Sequence, residues 1–275
     1  MDALNWCKER LLVAGAPLTA SLLFAPREER DKILALRCVA SEIAAASAGS
    51  DSTLAGARLA WWRQALAEGN NSHPALQALV NSDADQHLQP ADFDPLIAAV
   101  ADAVEPPRFE RFDALWAFCC QLGGSVSVLE FKLLQGGTAG LEAFQTLGGA
   151  HYLVRVVRDL VVDARANRWL VPLDFQADYQ VSRQDALAKE PSRPFAGLVR
   201  ALLSEAVKRG EVAVSGLSAE HRRRQVHLLA EWALDRRLAG AIDRRPQRLF
   251  QGRVAPGHWG NVWTAWRAAR RALKA

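Results

Sequence analysis

The chain has 275 residues, half of them hydrophobic, with 34 Lys/Arg against 30 Asp/Glu and a formal charge of +4. That length lies at the upper end of single-domain size and allows about three-quarters of the unfolded surface to be buried, so one domain over residues 1–275 is expected and a disordered chain is excluded. Charge is uneven: from residue 221 onward there are 13 Lys/Arg against 3 Asp/Glu, a local +10 that leaves −6 on residues 1–220.

In chain order, apolar residues recurring at i, i+3 and i+4 predict helices over 26–47, 53–68, 74–81, 91–104, 109–135, 138–167, 195–214, 219–243 and 259–274. Clusters of Gly, Pro, Asn and Ser at 69–74, 105–107, 136–140, 190–194 and 245–257 separate them. Glu28 and Glu29 suit a first helical turn, and His73-Pro74 reads as a turn into a helix start. No strand alternation of useful length is present, so the fold class is all-α: a helical bundle whose sites are built from residues facing one another across its interior. Gly136-Gly137 reads as a helix end. Gly123-Gly124 and Gly148-Gly149 fall inside helices, where each glycine costs about 1 kcal/mol relative to alanine, so they either open space for an elongated apolar ligand or let two helices pack closely.

Cys7, Cys38, Cys119 and Cys120 show no C-x-x-C spacing, and the six histidines form no H-x-x-x-H or H-E-x-x-H arrangement. A zinc site or disulfide framework is therefore not expected, and buried thiols in a reducing cytoplasm are. The uncharged stretch 11–26 contains Pro17 and no A-x-A site, and falls short of the roughly 18–20 residues that cross a bilayer, so no signal peptide is expected. Neither a P-loop, a G-x-S-x-G elbow nor a dinucleotide fingerprint is present, which removes kinase, hydrolase and dehydrogenase readings.

Candidate chemistry concentrates in Val157-Arg-Asp-Leu-Val-Val-Asp-Ala-Arg-Ala-Asn-Arg-Trp-Leu-Val-Pro172. Four residues apart on a helix, Asp159 and Asp163 share one face with Cβ atoms about 5–6 Å apart. Such a pair can hold a hard divalent cation, and Arg158, Arg165 and Arg168 can meet an anion bound to that cation, as a diphosphate would be. The plain alternative is a solvated, charge-laced helix face.

The segment resembles the second aspartate motif of the squalene/phytoene synthase family, usually LRDxxED-ARRGRxYLP, with Arg158, Asp159, Asp163, Ala164, Arg165, Arg168 and Pro172 on matching positions. Leu59-Ala-Trp-Trp-Arg-Gln-Ala-Leu66 with His73-Pro74 and Ala78-Leu79 is similar to LxWWRxEL…HPVxxAL, and Phe118-Cys-Cys-Gln-Leu-Gly-Gly-Ser-Val126 to the YCYRVAGSVG helix. Ser21-Leu-Leu-Phe-Ala-Pro-Arg27 with Ala35-Leu36 fits the family's N-terminal run. The resemblance covers about residues 5–175 in collinear order. It implies an isoprenoid-synthase-like bundle with a central cavity, apolar walls at Phe118, Gly123, Gly124, Val126 and Tyr152, metal ligands at Asp159 and Asp163, and diphosphate contacts from Arg158, Arg165 and Arg168.

Departures from the pattern weigh as much as matches. The first aspartate motif, A-F-C-R-x-V-D-D-x-x-D, falls on Val39 to Ala48, where Ala44, Ala45 and Ala48 replace the carboxylates and Ser41 the arginine. Arg155 replaces the Asn of Gln-Leu-Thr-Asn, and Val162 the Glu before the second aspartate. The resemblance implies ionisation of an allylic diphosphate between two acidic walls by Mg²⁺, which takes carboxylate and phosphate oxygens and offsets charge on the leaving group. With one wall bare, Asp159 and Asp163 can hold at most one Mg²⁺. Glu42 points away from the Ala44 face, and Asp51 lies beyond an expected helix stop at Gly49-Ser50.

Two expectations follow from the resemblance. The favoured one is a member without prenyltransferase catalysis that binds a prenyl diphosphate or isoprenoid-like ligand, or a partner protein; a complex I assembly factor of the same fold also departs from the aspartate motifs. The other is an active Mg²⁺-dependent head-to-head prenyltransferase joining two prenyl diphosphates. Trp259, Trp263 and Trp266 beside Arg267, Arg270 and Arg271 suit either a packed final helix or an interfacial helix on an anionic membrane, which would make a cytoplasmic protein membrane-peripheral. Nucleic-acid binding ranks last, because no recognition module is visible.

Overall fold

The computed structural model describes residues 2–47, 51–135, 138–255 and 257–274. Sixteen α-helices follow one another, with no strand among the described residues. They are α1 (Ala3–Leu11), α2 (Pro17–Ser21), α3 (Arg30–Ala45), α4 (Ser52–Ala67), α5 (Pro74–Asn81), α6 (Asp94–Asp102), α7 (Phe112–Cys119) and α8 (Ser125–Gln135). After these come α9 (Leu141–Arg165), α10 (Leu173–Tyr179), α11 (Arg183–Leu187), α12 (Arg193–Ser215), α13 (Ala219–Arg224), α14 (Val226–Arg244), α15 (Arg248–Gln251) and α16 (His258–Lys274).

The expected helices are present with small shifts, except that the run expected over 219–243 is divided at Gln225 into α13 and α14. The run expected from residue 26 starts as a 3₁₀ turn, Arg27–Glu29, and becomes α-helical at Arg30. His73 caps α5: its Nδ1 accepts the Ala75 N–H at 3.1 Å while its ring packs edge-on against Trp6 and Trp62. Side-chain caps open other helices, Asp51 accepting from Leu54 N–H at 3.1 Å and Ser192 from Phe195 N–H at 3.2 Å, each worth about 1 kcal/mol. Ala48, Gly49-Ser50 and Gly136-Gly137 lie outside the described residues.

Helix α9 is the axis of the molecule. Phe144, Leu147, Leu153, Val154, Val157, Leu160 and Val161 are all buried, covering both sides of the helix, as an element enclosed by neighbours must be. Against it runs the apolar stretch 112–134, which is long enough to cross a membrane but is half buried in this fold. That stretch changes pitch through a π-helical turn, Cys120–Gly124, between α7 and α8. Here the glycines act by close packing. A Cβ on Gly123 would stand 2.6 Å from Tyr152 Cβ and run into the Gly148 carbonyl, and one on Gly149 would stand 2.6 Å from Cys120 Sγ. The two glycine pairs thus let α9 and the π turn meet backbone to backbone.

Candidate functional site

Between α3, the π turn, α8, α9 and α14 lies a cavity of about 320 Å³. Helix α3 supplies Arg37, Ser41 and Ala44; Leu122, Gly123, Val126 and Ser127 form an adjoining wall. From α9 come Gly148, His151, Tyr152 and Arg155, and α14 contributes Glu231 to the floor.

The end of α9 explains how Arg168 reaches this space. Asn167 adopts a left-handed conformation (φ 61°), its N–H donates to Ala164 O at 3.2 Å, and Arg168 N–H donates to Asp163 O at 2.8 Å. This is a Schellman closure, which uses up the orphan carbonyls of the last turn and folds the chain back over the helix end. Arg168 therefore returns to the cavity, 3.9 Å from Asp163.

Gly123, Val126, Tyr152 and Arg168 line the cavity, as does Ala44 from the opposite wall. Phe118 stands one layer behind, its ring edge-on to Tyr152 at 6.1 Å, and Gly124 packs against the Gln145 backbone. Ala45 faces a separate groove between α3 and α4, beside Trp61 and Trp62. Asp159, Asp163 and Arg158 are not among the lining residues; they follow Arg155 along α9 by three to eight residues. Arg165 turns elsewhere, donating to the Phe250 carbonyl at 3.3 Å, so the structure does not bring it to the cavity with the others.

The acidic pair is already occupied by protein cations. Arg158 grips Asp159 through both carboxylate oxygens, at 3.0 and 2.6 Å, and Arg253 approaches the same carboxylate at 3.1 Å. Burial pushes the Asp163 carboxyl up, against the pull of Arg168. Mg²⁺ needs several oxygen ligands in near-octahedral array. Ala44 provides none, Arg155 replaces an amide with a cation, Asp51 is committed to capping α4, and no group of three metal-binding side chains occurs among the described residues. These residues do not fit a multi-magnesium cluster.

The floor holds a charge network that motif comparison had not singled out. His151, Arg155 and Asp159 follow at four-residue spacing on α9, and His227, Glu231 and Asp235 do so on α14. Two of the three positions in each row pair across the interface. His151 Nδ1 meets Asp235 Oδ2 at 2.6 Å, and Arg155 donates to Glu231 Oε1 at 2.6 Å. Arg37 donates to Glu231 Oε2 at 2.8 Å and also bonds Glu130, which takes a further bond from His227 Nε2 at 2.9 Å. Burial would raise the Glu231 carboxyl, but Arg37 and Arg155 outweigh it and hold it at about 2. Burial, reinforced by Arg37, drives His227 down to about 3, so it stays neutral. Its Nε2 therefore donates to Glu130. The available signal was a set of charges every fourth residue inside apolar helix runs, since a solvated face does not interrupt its charges with Leu and Trp.

With fold and site in view, comparison with known proteins defines the class. A sequence profile described as squalene/phytoene synthase matches residues 15–260, and the chain belongs to that family. A phytoene synthase of Arthrospira platensis is 24% identical over 210 residues, covering 71% of this chain and 68% of its own. Among solved structures, a dehydrosqualene synthase in complex with ligand superposes with a TM-score of 0.81 at 15% identity, over 99% of this chain and 96% of that one. A squalene synthase of Alicyclobacillus acidocaldarius gives 0.68 at 17% identity, covering 88% and 94%. YisP of Bacillus subtilis gives 0.70 at 16%, covering 99% and 95%. The all-α isoprenoid synthase fold is thereby established.

Proposed function

We propose that this chain binds an isoprenoid-type ligand in the central cavity, with an anionic head such as a diphosphate near Arg158 and Arg168, and does not ionise it through a magnesium cluster. One observation carries the reading. Ala44 faces the cavity on one wall, and on the other side Asp159 is already held by Arg158 and Arg253. Three arginines (158, 168, 253) against two carboxylates (159, 163) leave +1 around the acidic pair. Guanidinium forks can hold a diphosphate in its ground state. Ionising it is more demanding, since the charge growing on the leaving group must be met more strongly in the transition state than before it. Apolar walls at Val126 and Leu122 and the 320 Å³ volume suit part of a prenyl chain, at the small end of ligand-site sizes.

The test is farnesyl diphosphate added to the purified protein with Mg²⁺ or with EDTA, following melting temperature and released diphosphate. The expected result is equal stabilisation in both buffers, weakened in Arg168→Ala, with no diphosphate released. Mg²⁺-dependent release that disappears in Asp159→Ala would establish the catalytic alternative. No stabilisation in either buffer would remove the ligand and leave a partner protein as the cavity wall's reason for persisting.

A further inference from the structure

We propose that the outer face of α16 docks this protein on an anionic phospholipid bilayer. The helix packs inward through Asn261, Ala265, Ala269 and Ala272, all buried, against α14 and α2. Its outer side carries Trp259 at 84% exposure and Trp263 at 58%. Trp259, Trp263, Arg267 and Arg271 recur every fourth residue, so indoles and guanidiniums share one stripe. Trp266 stacks on Trp263 with ring centroids 4.8 Å apart, and Arg270 lies over the Trp266 ring at 4.9 Å.

The stripe borders an open groove of about 420 Å³ between α14 and α16, lined by Arg236, Arg237, Trp263, Arg267 and Arg271. Arg236 is partly neutralised by Glu211 at 2.8 Å. Arg237 is positioned: its guanidinium lies against Gly260, where a side chain would collide with it, and donates to Asn261 Oδ1 at 2.9 Å. Asn261 in turn donates to the Gly15 carbonyl at 3.3 Å, which ties the loop carrying exposed Val13 to the same end of the helix.

Charge selects the occupant. Helix α16 contains four Lys/Arg and no Asp or Glu, so a second copy laid symmetrically on this face would set arginine against arginine. A bilayer with anionic headgroups supplies what the face requires. Its phosphates meet the guanidiniums, and its interfacial zone takes indoles lying at headgroup depth. The dipole at the helix C-terminus places the basic residues where they are best tolerated in solution as well.

The experiment is co-sedimentation of the full chain with phosphatidylcholine vesicles and with phosphatidylcholine/phosphatidylglycerol vesicles, at low and high salt. Binding is expected with phosphatidylglycerol present, weakened by salt, and lost in Trp259→Ala/Trp263→Ala. In Arg267→Gln/Arg271→Gln, binding should fall on the order of 25-fold, from about fivefold per basic residue near an anionic surface. Circular dichroism of both variants confirms that the bundle is intact. Equal partition onto both vesicle types, indifference to the tryptophan substitutions, or no binding at all would overturn the proposal. So would a dimer in sedimentation velocity that the tryptophan variant dissolves, since the face would then belong to a second copy.

Discussion

Glu231→Gln is the sharpest probe of the cavity floor. Glu231 is 1% exposed and its two carboxylate oxygens are divided between Arg37 at 2.8 Å and Arg155 at 2.6 Å. Amide for carboxylate keeps the shape and removes the charge. One amide nitrogen then faces a guanidinium donor, and two cations confront each other with only Glu130 and Asp235 nearby. Breaking a buried ion pair by removing one partner costs about 3–5 kcal/mol, and the lower end applies because Arg37 keeps Glu130 and the Arg155 side chain keeps some water. For a domain of this size each kcal/mol lowers the melting temperature by roughly 2–4 °C, so a fall on the order of 10 °C is expected. Calorimetry or circular dichroism at neutral pH measures it. A change below about 1 kcal/mol in Glu231→Gln, the range of an exposed pair, would refute the claim that this floor is desolvated.

Acid should destabilise the fold in two steps. His227 stays neutral down to about 3 in the folded chain, whereas its ordinary value is 6.5, so the unfolded chain takes up the proton first and stability falls as pH drops from 6.5 toward 3. Glu231, held at about 2 against an ordinary 4.5, adds a second loss between those values. Urea midpoints across this range should therefore decline from pH 6.5 downward, and His227→Gln should flatten the portion above 4.5. Asn167→Ala places an ordinary side chain at φ 61° and should cost about 1–2 kcal/mol in urea unfolding while loosening Arg168. Gly148→Leu drives a side chain into the Gly123 backbone and Ser127, a contact with no flexible end to yield. Its expected cost is about 1–3 kcal/mol or more, read as a lower melting temperature.

The bundle was legible because its signals are local. Apolar spacing of three and four residues marks α3, α4, α9, α12, α14 and α16 directly, and the helix start at His73-Pro74 follows from proline's fixed φ and a capping side chain. Short helices such as α10 and α11 escaped, since five to seven residues hold too few periods to stand out. Around the candidate site, the face shared by Asp159 and Asp163 was readable from spacing alone. The engagement of Asp159 by Arg253 was not, because Arg253 lies some ninety positions away and its approach depends on the path of the chain after α15. The turn of Arg165 toward Phe250 has the same cause: sequence spacing sets a helix face, and a distant carbonyl decides where a long side chain ends.

The facing rows on α9 and α14 act as a tooth-and-notch lock on how those helices can slide. Displacing α14 by one turn in one direction would set Arg155 against His227, and in the other would set Asp159 against Glu231. Either shift leaves a charged group badly matched: Asp235 would face Leu147 in the first case, and Glu231 would face Asp159 in the second. The two long helices that form the cavity floor are thereby held in register.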